Sequence, residues 1–167
     1  MAEVRDTVRR PFPPAWVAVL SSARLSYLAT VSASDGGLPV PHLSLMAMSF
    51  LDDAELGAIF IFSTRRDTKK FENLMRNPTC CILSHDFAPR AEGGGDARLH
   101  GSLSITCTGT VRVLSGAEEA RLRAEHLRRQ PAHYRHFIEG DAAVVVLPPE
   151  TAQAVGESDR VERLGPL

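Results

Sequence analysis

Between Ser63 and Lys70 the chain gathers three hydroxyls, Ser63, Thr64 and Thr68, and four cations, Arg65, Arg66, Lys69 and Lys70, offset by Asp67 alone. Phe60-Ile61-Phe62 before the cluster is an apolar, β-rich run, and Phe71, Leu74 and Met75 after it recur at the i, i+3, i+4 spacing of one helix face. The pattern predicts a strand, a tight turn and a short helix that Pro78 stops. Asp67 or Thr68 serves as the N-cap, since either side chain can accept a bond from the free N–H groups of the first turn. Lys69 and Lys70 then sit where the helix dipole disfavours cations by some tenths of a kcal/mol. Cations, hydroxyls and free N–H groups at a helix start suit a phosphate. A solvated basic turn is the plainer alternative, and these residues alone leave both open.

Other chemistry is scarce. His42 and Ser44 fall on one face of a predicted strand and Leu43 and Leu45 on the other, so the polar pair faces either water or a ligand. His133 and His136 stand three apart, but no cysteine or carboxylate completes a familiar metal spacing and HExxH is missing, so no metal is expected. There is no GxSxG elbow, Walker A loop or paired-cysteine module, and Gly93 to Gly95 lack the flanking strand and helix of a dinucleotide fingerprint. No catalytic residue is assigned. If the chain is an enzyme, a bound cofactor carries the reactive chemistry and the protein supplies orientation and charge.

The elements that must position these groups follow from the periodicity. Pro13-Pro14 opens a helix with Trp16, Val19 and Leu20 on its apolar side. Strands are expected over 25–31, 38–48, 58–62, 79–84, 103–114 and 142–147, with Ser34-Asp35-Gly36-Gly37 turning the first hairpin and Gly109 marking a bulge. Ser115 and Glu118 read as a capping box for a helix from Ala117 to about Arg129, its thin apolar side made by Ala120, Leu122, Ala124 and Leu127. Six strands joined by hairpins favour an α+β, mainly β fold, a small antiparallel barrel with flanking helices, over a doubly wound sheet. The expected organisation is an extension and helix over 1–22, the barrel over 23–150 and a tail over 151–167.

At 167 residues the chain supports one core. A formal charge of −1, with no extended basic face, argues against nucleic acid. No apolar run reaches the roughly 18 residues of a membrane span, and Met1 to Arg10 lack an apolar signal-like region, so a cytoplasmic location is expected. Cys80, Cys81 and Cys107 show no CxxC spacing and read as small core residues.

Leu25-Ser26-Tyr27-Leu28-Ala29-Thr30-Val31, the turn Asp35-Gly36-Gly37, Pro39-Val40-Pro41-His42-Leu43-Ser44-Leu45, and Ile61 to Lys70 through Asn77-Pro78 resemble, in order and spacing, the flavin-binding split β-barrel proteins related to pyridoxamine 5′-phosphate oxidase. Gly109-Thr110-Val111-Arg112-Val113-Leu114 is similar to the family's next strand. The resemblance implies a homodimeric, six-stranded split barrel with FMN in a cleft between subunits. It implies that Lys69 and Lys70 clamp the FMN phosphate, that Ser63 and Thr64 reach phosphate or ribityl oxygens with Thr68 at the helix start, that His42 to Leu45 (His42, Leu43, Ser44 and Leu45) lie along the isoalloxazine, and that Ser104 approaches the ring. Relatives that use the deazaflavin F420 also show a lysine-containing helix start followed by an asparagine, as in Lys70-Phe71-Glu72-Asn73. A haem- or flavin-storing protein on the same barrel is a further reading, with His126, His133 and His136 as candidate haem ligands. The chain departs from the oxidase itself: no basic residue falls between Leu38 and Phe50, and the only tryptophan is Trp16, so the oxidase's own activity is not expected and the substrate stays unnamed.

Overall fold

The computed structural model describes residues 12–32, 38–87, 103–156 and 160–165. The predicted turn over Ser34 to Gly37, residues 1–11 of the expected extension and the glycine run at 93–95 lie outside them.

Helix α1 (Pro14–Ser22) begins on a proline whose missing N–H would be unpaired there anyway, and it buries Trp16, Val19 and Leu20. Strands β1 (Leu25–Val31), β2 (Pro41–Asp53) and β3 (Gly57–Thr64) follow, then α2 (Lys69–Arg76), β4 (Thr79–His85), β5 (Ser104–Thr110) and β6 (Arg112–Val113). Helix α3 (Gly116–Arg129) leads through a 3₁₀ helix (Ala132–Phe137) to β7 (Ala143–Leu147), β8 (Pro149–Val155) and β9 (Val161–Leu164). The strands form one sheet in the order β6-β7-β3-β2-β1-β4-β5-β8-β9, and every pairing is antiparallel.

The architecture is mainly β with flanking helices, as expected, but with nine strands instead of six. The stretch expected as one strand over 103–114 breaks at Val111 into β5 and β6, which join different neighbours. The boundary at residue 150 falls inside β8, and the expected tail holds the rest of β8, paired with β5, and β9, paired with β8. Small and polar residues such as Thr151, Gln153 and Glu162 hid these strands from a search for apolar runs. Gly109 does sit at a register shift, and a Cβ there would fall 2.3 Å from the Pro148 carbonyl oxygen, so the crossing of β5 and β8 admits no side chain.

β2 belongs to both halves of the sheet. From Asp53 back to Met48 it pairs with β3, the last pair being Met48 with Phe62; from Ala47 to Pro41 it pairs with β1. The sheet thereby folds over, and Leu28, Ile82, Ile105 and Cys107 of one half meet Phe50, Phe60, Phe62 and Val145 of the other. α3 covers the outer face of the second half, where Ile59, Ile61, Val144 and Val146 pack against Leu114 and Leu122. This is why β3 and β7 read as continuous apolar runs: both faces are buried.

α3 itself is held differently from expectation. Ser115 makes no side-chain cap, and Glu118 forms a bidentate pair with Arg112 at 2.6 and 2.8 Å, a charge-assisted contact stronger than a neutral cap bond. Ala120 and Ala124 are exposed; Leu122 and His126 make the buried side. Cys80 and Cys107 are core residues, their thiols pushed up to about 12 by burial. Among the described residues no helix is long and apolar enough to cross a membrane, and no cluster of groups could hold a metal ion.

Candidate functional site

The hand-over of β2 creates the site. Beyond the Met48–Phe62 pair, β3 continues as Ser63-Thr64 against β7, while β2 continues against β1, so the two strands part. The cleft that opens there has a volume of about 960 Å³, with Leu45, Met46 and Ala47 on one lip and Ser63 and Thr64 on the other. Among the described residues no strand pairs with the second edge of β2 over 41–47, so that edge presents main-chain donors and acceptors.

The turn between β3 and α2 is a hydroxyl lattice. Thr68 is the N-cap, accepting from the Phe71 N–H at 3.4 Å. Its own hydroxyl donates to the Arg65 carbonyl at 2.9 Å, and the Thr64 oxygen stands 3.0 Å from it. Asp67, the other candidate cap, is bound instead by Arg65 at 3.0 and 2.5 Å, which holds its carboxyl below the usual range. Ser63, at the end of β3, is only 5% exposed, yet its hydroxyl has no hydrogen-bond partner among the described residues. A buried hydroxyl without a partner is costly, and Ser63 Oγ has capacity for one more hydrogen bond on this side of the cleft.

The two lysines differ. Lys70 is half-buried, lines the cleft and has no carboxylate partner among the described residues. Lys69 points away and donates to Glu72 at 3.0 Å, lowering the Glu72 pKa. Arg65 and Arg66 also line the cleft, the first tied to Asp67 and the second over the Phe71 ring at 5.5 Å. The helix face expected at Phe71, Leu74 and Met75 is rotated: Met75 is exposed and Asn73 buried, its amide donating to Thr30 at 3.1 Å. Asn73 therefore anchors α2 to β1 and does not face the cleft.

Of the residues named from sequence, Ser63, Thr64, Thr68, Lys70 and Leu45 line the cleft together. His42 and Ser44 continue the inward row of Met46 and Met48, half-buried, with Ser44 Oγ 3.4 Å from His42 Nδ1. Leu43 and Leu45 face outward, 65% and 55% exposed. They share that face with Tyr27, which pairs with Leu45 and Leu83 and stacks on His85. Ser104 opposes His85 on the same face, three strands across and two residues along from Leu45, roughly 16 Å away and outside this chain's own cleft.

The far wall was not foreseen. Tyr134, His136 and Phe137 of the 3₁₀ helix, with Glu139 and Asp141 after it, close the cleft opposite β2. Arg123 of α3 pins this segment, donating to the carbonyls of Ile138 and, at 2.7 Å, Ala142, while Glu119 holds Arg123 at 2.5 Å. Gly140, at φ +74°, allows the turn between. In the sequence His133 and His136 offer only an incomplete metal spacing and candidate haem ligands, and nothing in that spacing places the segment over Ser63, seventy residues earlier in the chain. Of the three candidate haem ligands, His126 is fully buried with Nδ1 2.8 Å from Ser49 Oγ, and only His136 lines the cleft.

The family described as pyridoxamine 5′-phosphate oxidase matches residues 12–156. A Schizosaccharomyces pombe protein described as a pyridoxamine 5′-phosphate oxidase homologue is 28% identical over 164 residues, covering 85% of this chain and 84% of its own. Among solved structures, a haem-binding protein from Mycobacterium smegmatis superposes with a TM-score of 0.68 at 24% identity, over 95% of this chain and 60% of its own. The haem storage protein HutZ from Vibrio cholerae gives 0.59 at 16%, over 82% and 89%. An FAD-binding protein from Mesorhizobium loti gives 0.56 at 18%, over 86% and 94%. At these identities the structural likenesses show the fold.

Proposed function

We propose, from the premise that the chain belongs to the pyridoxamine 5′-phosphate oxidase family, that its cleft binds a flavin through the phosphate and that the protein is a flavin-dependent oxidoreductase. The observation that carries this is that the buried hydroxyl of Ser63 and the half-buried ammonium of Lys70 line one cleft, the first without a hydrogen-bond partner and the second without a carboxylate among the described residues. Phosphate oxygens satisfy both, with Thr64 and Thr68 adding hydroxyls and the first turn of α2 adding N–H groups. With FMN so placed, the open edge of β2 along His42 to Leu45 lies on the isoalloxazine side, where main-chain groups meet its polar rim. A bound flavin supplies hydride exchange at its N5. The chain's own part is to hold the phosphate, orient the ring and cover it.

Covering the ring requires a second copy. Exposed Leu43 and Leu45, with the half-buried Tyr27, make an apolar face beside the cleft, of the kind that marks an interface, and a homodimer packed through it encloses the ring. Ser104, on that face but far from its own cleft, then approaches the partner's site.

Titration of the purified protein with FMN, followed by flavin fluorescence, tests the reading. Uptake is expected, and Lys70→Ala should weaken it by about 1.5–3 kcal/mol, the worth of a hydrogen bond to a charged group. No uptake, or an affinity indifferent to Lys70, sinks it.

Haem is the second reading, favoured by His136 on the cleft wall and by the haem-binding relatives of the same fold. A Soret band on haem addition that His136→Ala removes would establish it in place of the flavin.

A further inference from the structure

We infer that the cleft continues past the phosphate cradle into a second subsite that takes the adenosine half of a dinucleotide flavin, so that the chain prefers FAD to FMN; this rests on the flavin reading above.

The cradle lies in the middle of the cleft. Ser63 and Thr64 have β2 on one side, with Leu45 and the apolar face, and β7 on the other, paired to Val144 and Ala143. The chain entering β7 carries the aromatic wall. A mononucleotide with its ring on the β2 side ends at the cradle and leaves that wall bare.

The wall's chemistry matches a purine nucleoside. Phe137 is 53% exposed, with His136 at 3.8 Å and Tyr134 at 6.3 Å between ring centroids, a surface on which a flat base stacks. Glu139 and Asp141 have no cationic partner among the described residues and act as acceptors. Ribose hydroxyls and an exocyclic amine are the donors they would accept from. The same carboxylates oppose F420, whose oligoglutamate tail would bring like charges against them. A cleft of about 960 Å³ accommodates a large ligand. The wall is also preorganised, since Arg123 fixes the carbonyls on either side of Glu139 and Asp141, which reduces the ordering that binding must impose.

The test is a pair of fluorescence titrations of the purified, flavin-free protein with FAD and with FMN, repeated on Phe137→Ala and Asp141→Asn. FAD is expected to bind about tenfold more tightly, and Phe137→Ala to remove about tenfold from FAD affinity while leaving FMN within about twofold. FMN affinity in the same variant reports whether the fold and cradle are intact. Equal affinities for the two flavins, or an equal loss for both in Phe137→Ala, overturns the subsite and leaves the cradle standing. Uptake of neither flavin overturns the flavin reading and the subsite with it.

Discussion

The two halves of β2 are one strand under two regimes. From Met46 to Leu51 every residue is buried, packed by the barrel interior on one side and by α3 or the sheet's second layer on the other. From Pro41 to Leu45 the strand alternates half-buried and exposed positions, with leucines turned outward and one edge unpaired among the described residues. The buried half is organised for stability and offers a ligand only its end, where Met46 and Ala47 reach the lip of the cleft. The second retains unused apolar surface and unused main-chain groups, and the cleft begins at the residue where one regime gives way to the other. Binding capacity on this fold is therefore concentrated where pairing stops.

That contrast can be broken from the stable side. Phe60→Ala removes a fully buried ring from the interior and should cost about 3–5 kcal/mol, read as a fall in the urea midpoint. A smaller effect comes from pH. Burial, aided by the Arg123 charge, holds His126 at about 4, against about 6.5 in the unfolded chain. Between those values the unfolded chain takes up a proton that the folded one does not. This contribution to stability is intact above about pH 6.5 and is lost as pH falls toward 4, by up to about 3 kcal/mol. Urea melts across that window should show the slope, and His126→Asn should flatten it.

On the binding side, Lys69→Ala should change FMN affinity by less than about 0.5 kcal/mol, since an exposed lysine paired with Glu72 is already neutralised. A loss equal to that of Lys70→Ala would mean that both lysines reach the ligand. The smallest effect on folding is expected from Leu43→Asp with Leu45→Asp, within about 0.5 kcal/mol on the monomer because both side chains are exposed. Sedimentation should nonetheless show the dimer gone; a dimer that persists places the interface elsewhere.

The stable half was the more legible in the sequence. Alternating or continuous apolar runs located β1, β3, β7 and α1 to within a residue or two, because burial on a regular element leaves a periodic trace. The cradle was legible too, since Ser63 to Lys70 is contiguous and its residue types state their chemistry. What the chain order concealed was the choice between neighbours. Lys69 and Lys70 are equivalent in sequence, and only the direction of α2 sends one to Glu72 and the other to the cleft. Glu118 suited a cap until Arg112, six residues earlier, offered a stronger partner. The wall at Tyr134 to Asp141 reaches the site through tertiary packing, which carries no local signature.

The pinning of that wall by Arg123 has a consequence for how such proteins diversify. The cradle is carried by a short contiguous segment, whereas the wall hangs from α3 through two carbonyl contacts and shares no hydrogen bond with the cradle among the described residues. The two act as separable modules. A lineage or an engineer can exchange the stretch between Pro131 and Ala142, keeping Arg123, and change what is recognised beyond the phosphate without rebuilding the part that grips it.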